Sequence, residues 1–386
     1  PIAEQETVEG HSVRAMYLLT AAADLGTTPL AAERKNLIEA AWRLWRNMSL
    51  AKTAVTGGIG SIMQWEGFSI NYDLPNGKDE GGSYNETCAS IGQLMLADRL
   101  QFVHGLDAAH IGDVAERALY NSSVTTGMSI DGKAFTYDNQ LASSEGNPAE
   151  RHTWFECACC PPNVLRTLAV IGGYFWSPLP GGQKGIAIHH PFDGEIDHEG
   201  IKVKMATQYP SDGRISLQVS GGNVKLRVPG WARKDFASQV PADGYVSLDA
   251  GKHEVDFKIK PRLIFSHPYT RNDTITVAMG PLIYCLEDVD NKWEKHHFKD
   301  LTVHKSLLEQ LEPVKQDDGV VFLRAKGAGR QIVLPKEDQP SLTELGEDMQ
   351  FSEEKLDLIF VPYYYRANRK GGNGQVRVSI KRRHEV

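Results

Sequence analysis

The sequence predicts an α plus β multidomain protein. Apolar residues recur at helical spacing up to about Trp176, short alternating strands take over from Gly185 onward, and Pro180-Gly181-Gly182 lies between the two regimes. In the first regime a helix is expected from Gly10 to Leu25, closed near Gly26. Leu37, Ala41, Leu44, Trp45 and Met48 fall on one helical stripe, and Ile111, Val114, Ala115 and Ala118 on another. The segment from Ala89 to Val103 carries Ile91, Leu94, Met95, Leu96 and Leu100 on more than one face, which predicts burial on most sides. A further helix starts at Pro161-Pro162, because the amides of a first turn have no intrahelical acceptor and their loss costs little; it carries Val164, Leu168, Ile171 and Phe175 inward. Two segments interrupt the helices. Thr56 to Gly82 is glycine-rich and aperiodic, a long ordered loop of the kind that carries function. Ser122 to Ala142, with Asp131-Gly132 between Val124 and Phe135, reads as an inserted β-hairpin.

After Gly185 the expected strands are Ile201 to Met205, Ile215 to Val219, Val224 to Val228, Tyr245 to Leu248, Val255 to Ile259 and Thr274 to Ala278. Their close spacing predicts one β-sandwich, or two. A weaker boundary falls between Asp290 and Lys305, so the expected division is 1–180, 181–290 and 291–386, the last a second sandwich or a continuation of the first.

With 386 residues, 41% hydrophobic and 24% charged, the chain is long enough for two or three packed domains. A net charge of -7 without basic blocks argues against nucleic acid and anionic membranes as partners, since both need a concentrated positive face. The triplet Lys381-Arg382-Arg383 reads as a solvated end, and no apolar run approaches the roughly 18 residues of a membrane span.

The chemistry concentrates in the cysteines. There are five, four of them between Cys88 and Cys160 with Cys285 alone in an expected strand, and an odd total argues against a disulfide framework. Cys88, Cys159, Cys160 and Glu86 together suit the tetrahedral, thiolate-rich coordination of zinc. The adjacent pair is not a zinc-finger spacing, and the same residues also fit buried apolar thiols. If Glu86 and Cys88 open one helix and Cys160 precedes another, the positive ends of both helices favour thiolates. Such a sulfur can act as a nucleophile when a proton donor serves the leaving group. Glu66, in Gln64-Trp65-Glu66-Gly67-Phe68, is the candidate, with aromatic neighbours that favour the neutral acid; among 49 acidic residues, simple surface charge is the plain alternative.

Five strings occur in order: Gly57-Gly58-Ile59-Gly60-Ser61, Trp65-Glu66-Gly67-Phe68, Tyr72-Asp73-Leu74-Pro75-Asn76, Glu86-Thr87-Cys88-Ala89-Ser90 and Cys157-Ala158-Cys159-Cys160-Pro161-Pro162-Asn163. Together they resemble glycoside hydrolase family 127 and its relative family 146, the β-L-arabinofuranosidase-like enzymes. The likeness continues through Tyr209-Pro210, Leu226-Arg227-Val228-Pro229-Gly230-Trp231, Gly280-Pro281-Leu282-Ile283-Tyr284 and the stretch from Pro362 to Arg369, nearly the whole chain.

The resemblance implies a retaining exo-glycosidase for terminal β-L-arabinofuranosides or a related furanoside, with a small oligosaccharide or glycan as substrate. It implies Zn2+ held by Glu86, Cys88, Cys159 and Cys160, with Cys159 also the nucleophile and Glu66 the acid/base. His11, in Gly10-His11-Ser12-Val13-Arg14, and Tyr137, in Phe135-Thr136-Tyr137-Asp138-Asn139, match sugar-binding positions; a helix-capping histidine and a packed hairpin tyrosine are their structural alternatives. It also implies that residues 1–180 are the C-terminal half of an (α/α)6 barrel, whose remaining helices are expected from an N-terminal segment of a longer protein or from another polypeptide that covers the exposed apolar faces. A second reading stands beside this one: a noncatalytic carbohydrate-binding part of a larger assembly, with a structural zinc and sugar-stacking faces at Trp231 and Tyr363-Tyr364-Tyr365.

Overall fold

A computed structural model describes residues 1–28, 31–101, 103, 107–236, 238, 240–291, 298–333 and 350–384. Its helices are α1 (Ser12–Gly26), α2 (Ala31–Ala51), α3 (Thr87–Gln101), α4 (Ala108–Asn121), the single turn α5 (Val124–Gly127) and α6 (Cys160–Ala169). Helix α3 packs against α1, α4, α5 and α6. This is why its apolar residues do not form a single stripe: Ile91, Leu94, Leu96 and Leu100 are all buried. Met16 and Leu19 of α1, Leu44, Trp45 and Met48 of α2, and Ile111, Ala115 and Ala118 of α4 complete that core. The glycine-rich loop before α3 is ordered by docking. Gly57 takes φ +86° and lies so close to α4 that a β-carbon would come within 2.6 Å of the Ala118 nitrogen.

Of the hairpin expected over 122–142 a short antiparallel piece around Asp131-Gly132 is present, with the Ser129 amide on the Ala134 carbonyl at 2.7 Å and the Thr136 amide on the Gly127 carbonyl at 3.0 Å. Residues 124–127 make the turn α5, and the strand character shrinks to isolated bridges, Met128 with Phe135 and Phe135 with His152. Hydroxyl groups decide this: Ser123 Oγ and Thr125 Oγ1 donate to the Ala118 and Leu119 carbonyls at 2.9 and 3.0 Å, folding the chain back on α4 despite its β-branched residues. One further piece, β1 (Ala142–Ser143), joins the C-terminal sheet.

The β-rich part begins earlier than Pro180. Strands β2 (Trp176–Pro178), β3 (Ile186–Ile188), β7 (Val224–Arg227) and β8 (Tyr245–Leu248) form one sheet, and β4 (Gly194–His198), β5 (Ile201–Thr207), β6 (Arg214–Ser220) and β9 (Gly251–Asp256) another. Pro180-Gly181-Gly182 is thus a turn inside the first sheet, with φ near +71° and +72° at its glycines. Alternation sets the faces: Ile201, Val203 and Met205 of β5 and Ile215, Leu217 and Val219 of β6 point into a shared core, while Lys202, Lys204, Arg214 and Gln218 face water.

Strand pairing runs across the stretch between Asp290 and Lys305. β10 (Pro261–Phe265), β11 (Thr274–Met279) and β12 (Leu282–Glu287) lie in one sheet with β13 (Leu301–His304), β14 (Leu311–Lys315), β15 (Val321–Gln331), β16 (Leu356–Pro362), β17 (Val376–Arg377) and β18 (Ser379–Arg383). The change from one sheet to the next falls after β9. In place of a second two-sheet sandwich, β12, β16, β15, β13, β18 and β11 form a closed ring, because β11 also pairs with β12. Closure leaves these strands without a free edge and gives β12 two buried faces. Tyr284 and Leu286 join the ring's core, whereas Ile283 and Cys285 pack toward Ala54 and Leu141 of the helical part. The triplet expected at a solvated end lies in β18: Arg383 is buried, and Arg382 Nε pairs with Asp273 at 2.8 Å.

The recurring strings beyond the cysteine motifs form the seam between the helical and β parts. Fully buried Arg227 bonds Asp113 Oδ1 at 2.5 Å, Glu116 Oε1 at 2.7 Å and the His189 carbonyl at 2.7 Å. Trp231 Nε1 and Tyr209 Oη donate to the same Glu116, at 3.0 and 2.6 Å. Asn121 at the end of α4 bonds the Pro281 carbonyl and the Ile283 amide at 2.9 and 2.7 Å.

His189 and His190 are buried beside Arg227, and burial first, then the guanidinium charge, holds both below the usual imidazole range, His189 at about 3. The unfolded chain therefore binds more protons than the folded one below about pH 6.5, so stability is full above that pH and is lost as pH falls toward 3. The expected slope is about 1.4 kcal/mol per pH unit for each histidine. Thermal unfolding midpoints between pH 7 and 4 check this, and the acid-induced drop should be smaller in His189→Gln.

Candidate functional site

Two helix N-termini bring the cysteines together. The Glu86 carbonyl accepts the amides of Ala89 and Ser90 at 3.0 and 3.2 Å, which puts Glu86 at the head of α3 and Cys88 in its first turn. Cys159 caps α6 and Cys160 is its first residue, followed by the two prolines. Helices α3 and α6 pack together, so the heads meet. Glu86 Oε1 lies 3.4 Å from Cys159 Sγ and 3.6 Å from Cys160 Sγ, and the two sulfurs are 3.7 Å apart. One donor atom from each of Glu86, Cys88, Cys159 and Cys160 lies within 4.8 Å of all the others. Glu86, Cys88 and Cys160 are buried, whereas Cys159 is exposed. All five cysteines are free thiols.

The charges in this cluster are interdependent. Hydrogen bonds from Cys160 and Cys88, then from Tyr137 and Glu86, hold the Cys159 thiol down to about 2. Burial pushes Glu86 up to about 8, reinforced by the Cys159 sulfur, and the bond to Cys159 pushes Cys88 and Cys160 upward. These directions favour negative charge on the outward Cys159 sulfur and disfavour it on the buried members of the group. Glu86 Oε2 is buried with no hydrogen-bond partner among the described residues. Three sulfurs and one oxygen with an unsatisfied acceptor fit a thiophilic divalent ion, which would draw off the remaining protons.

Glu66 stands beside this cluster. Its carboxylate, His11 and Glu86 each offer a donor atom within 4.8 Å of the other two. Glu66 has φ +52°, an uncommon conformation for a residue with a side chain, and the head of α1 holds it there: the Ser12 amide and hydroxyl both donate to its carbonyl, at 2.9 and 2.7 Å. His11 does two jobs. Its Nδ1 accepts the Val13 amide at 3.2 Å, which caps α1 and leaves Nε2 to face Glu66 Oε2 at 3.1 Å. Helix capping and the site contact are thus complementary.

Tyr137 closes the other side. Its carbonyl accepts the Thr87 amide at 2.8 Å, and its hydroxyl lies 3.0 Å from Cys159 Sγ and 3.8 Å from Cys157 Sγ. The edge of Phe155 abuts its ring at 5.3 Å. The C-terminal sheet braces this segment: Tyr363 Oη donates to the Gln140 carbonyl at 2.6 Å and Arg366 to Asn139 Oδ1 at 3.0 Å.

Sequence reasoning passed over Tyr84. Its hydroxyl donates to Glu66 Oε1 at 3.0 Å, and its ring lies 6.2 Å from that of Tyr137, so it links the two sides of the site. Its one signal was its place two residues before Glu86. The proposed sugar-stacking aromatics are occupied internally: Trp231 is tied to Glu116, Tyr363 is fully buried, and Tyr365 Oη donates to Asp318 at 2.7 Å. A cavity of about 710 Å³ lined by Glu145, Arg151, Glu287 and Arg369 contains none of the cluster residues, and Arg369 there is paired with Glu287 at 2.7 Å.

Two family models match the chain: the β-L-arabinofuranosidase GH127 catalytic domain over residues 1–173, and the glycoside hydrolase family 127 C-terminal domain over residues 261–379. A non-reducing end β-L-arabinofuranosidase of Bifidobacterium longum subsp. longum is 31% identical across 421 aligned positions, covering 97% of this chain and 60% of that protein. Among solved structures, a GH127 β-L-arabinofuranosidase from Geobacillus stearothermophilus T6 is similar with a TM-score of 0.82 and 30% identity, over 99% of this chain and 62% of that one. Another GH127 β-arabinofuranosidase is similar at TM-score 0.81 and 28% identity, again over 99% and 62%. The chain thus spans about three fifths of the length of these relatives.

Proposed function

The chain belongs to glycoside hydrolase family 127, and from that premise we propose that it is a retaining exo-glycosidase that releases terminal β-L-arabinofuranose, or a related furanose, from a glycan. The observation that carries the reading is the position of Cys159: it is the one exposed member of the Glu86, Cys88, Cys159 and Cys160 group, and Glu86 links that group to Glu66.

In the proposed reaction the Cys159 thiolate attacks the anomeric carbon while the bond to the glycosidic oxygen breaks, and Glu66 gives its proton to that oxygen. A thioglycosyl intermediate results. Glu66, now a carboxylate, takes a proton from water, whose oxygen attacks the same carbon as the carbon–sulfur bond breaks. The thiolate returns, with two inversions giving net retention. Tyr137 Oη, 3.0 Å from the sulfur, steadies the thiolate before attack and after release. His11 and Tyr84, each on one oxygen of Glu66, hold the carboxylate in place and are available to sugar hydroxyls. Zn2+, held by Glu86, Cys88, Cys159 and Cys160, would supply the positive charge that keeps the sulfur ionised and fixed.

The helices are proposed as part of an (α/α)6 barrel. Support comes from exposed apolar side chains, Tyr17, Leu18 and Leu25 on α1 and Leu165 and Leu168 on α6, on faces that further helices would cover.

The test combines metal analysis with turnover. About one zinc per chain is expected, together with hydrolysis of an aryl β-L-arabinofuranoside whose first-formed product keeps the anomeric configuration by NMR. Glu66→Gln should lower kcat/KM on an unactivated disaccharide by about 10²- to 10⁴-fold, with a smaller loss on an aryl glycoside whose leaving group needs no proton. Inverted product, or equal losses on both substrates, would remove the assigned roles.

A further inference from the structure

Trp65 precedes Glu66 and is 54% exposed, an unusual position for a large apolar ring on a loop so firmly held. The loop is closed at its base by paired backbone bonds between Ile62 and Gly67, both 3.0 Å, and inside by the Glu66 amide on the Met63 carbonyl at 3.2 Å. Its return limb is tied to the segment just ahead of α1 through the Phe68 amide on the Gly10 carbonyl at 2.9 Å. The indole itself is seated. A β-carbon on Gly67 would collide with Trp65 Cδ1 and with the Gly10 carbonyl, so the pyrrole edge rests on bare glycine backbone. No hydrogen bond or ring partner among the described residues occupies the rest of the ring.

The reaction determines what this surface meets. The proton from Glu66 goes to the glycosidic oxygen, so the departing sugar must pass within hydrogen-bond reach of that carboxylate, one residue from the indole. The C–H face of a sugar is apolar and flat enough to lie on an aromatic ring, and binding energy from this non-reacting part of the substrate can be used to align the bond that breaks. We propose that Trp65 is the platform for the leaving-group sugar and a determinant of which linkage is cleaved, an inference that rests on the acid/base reading of Glu66. The first sugar is held by the cysteine side of the site; the second lies over the indole.

The experiment compares two substrates with the same terminal sugar, methyl β-L-arabinofuranoside and a β-linked arabinofuranosyl disaccharide. In Trp65→Ala, kcat/KM for the disaccharide should fall about tenfold or more, while the methyl glycoside, with nothing to stack, stays within about twofold of the parent protein. Trp65→Phe should recover most of the disaccharide activity, which a purely structural role would not predict, and thermal unfolding should be unchanged in both variants. Equal losses on the two substrates, or no loss on the disaccharide, would overturn the platform while leaving the proposed reaction standing. A parent protein inactive on both glycosides would remove the reaction and the platform together.

Discussion

Cys159→Ser is expected to abolish turnover, by on the order of 10⁴-fold or more, in a protein that remains folded. The physical reason is ionisation. The Cys159 thiol is held well below the usual thiol range because Cys160, Cys88 and Tyr137 all stabilise its anionic form. A serine hydroxyl in the same place is far less acidic, and no free base adjoins it: Glu86, pushed up to about 8, holds its own proton near neutral pH unless a cation displaces it. The side chain is exposed, so in the metal-free protein the exchange of one atom should cost less than about 1 kcal/mol of stability. Cys157→Ser is the matched control, since Cys157 is also exposed but lies outside the donor group. Steady-state kinetics and thermal unfolding on both variants check the expectation, and intact-mass analysis of the parent protein during turnover should find a sugar adduct on Cys159. Near-parental turnover in Cys159→Ser would end the nucleophile assignment.

The largest loss of stability is expected at Arg227. Its guanidinium has no exposure and neutralises Asp113 and Glu116, carboxylates on the same α4 that packs behind α3. Arg227→Ala would strand the buried Glu116 charge and free the His189 carbonyl, a change that typically costs about 3–5 kcal/mol. The unfolding midpoint should drop by roughly 10 °C. By contrast Lys202→Ala, which breaks an exposed pair with Asp197, should change stability by less than about 1 kcal/mol. Similar small effects from both variants would show that the seam does not depend on this ion cluster. Activity should fall with the Arg227 change only as the folded fraction falls.

Much of this was legible in the chain. Periodic stripes located α2 and α4, because a helix that buries one face must repeat at helical spacing whatever it packs against, and the proline pair located the start of α6, although Leu168, expected inward, is exposed and Ile171 and Phe175 lie beyond the helix. The β5 and β6 strands were legible for the same reason, through strict alternation. Other elements were not. Val124, Thr125 and Thr126 favour a strand by intrinsic preference, yet hydroxyl groups that reach back to α4 make them a helical turn. The boundary near Asp290 followed a change in composition, whereas the change from one sheet to the next depends on which distant strands pair, and β11 closing on β12 to complete a ring leaves no local trace. Trp231 and Tyr363 look like sugar platforms as residue types; only their partners, Glu116 and the Gln140 carbonyl, show that they are seam residues.

The site divides in the same way. The residue types and the order of the motifs, Glu66, Glu86-Thr87-Cys88 and Cys159-Cys160, are properties of the sequence, as is the tendency of prolines after Cys160 to start a helix there. These sufficed for the family and for the kind of chemistry expected. Tertiary structure alone decided that the heads of α3 and α6 meet, that Cys159 faces outward while Cys88 and Cys160 are buried, and that Tyr84 and His11 share the carboxylate of Glu66. The reason is distance. Ionisation and metal affinity depend on separations of a few ångströms between groups far apart along the chain, and those separations come from packing, not from the spacing of residues in sequence.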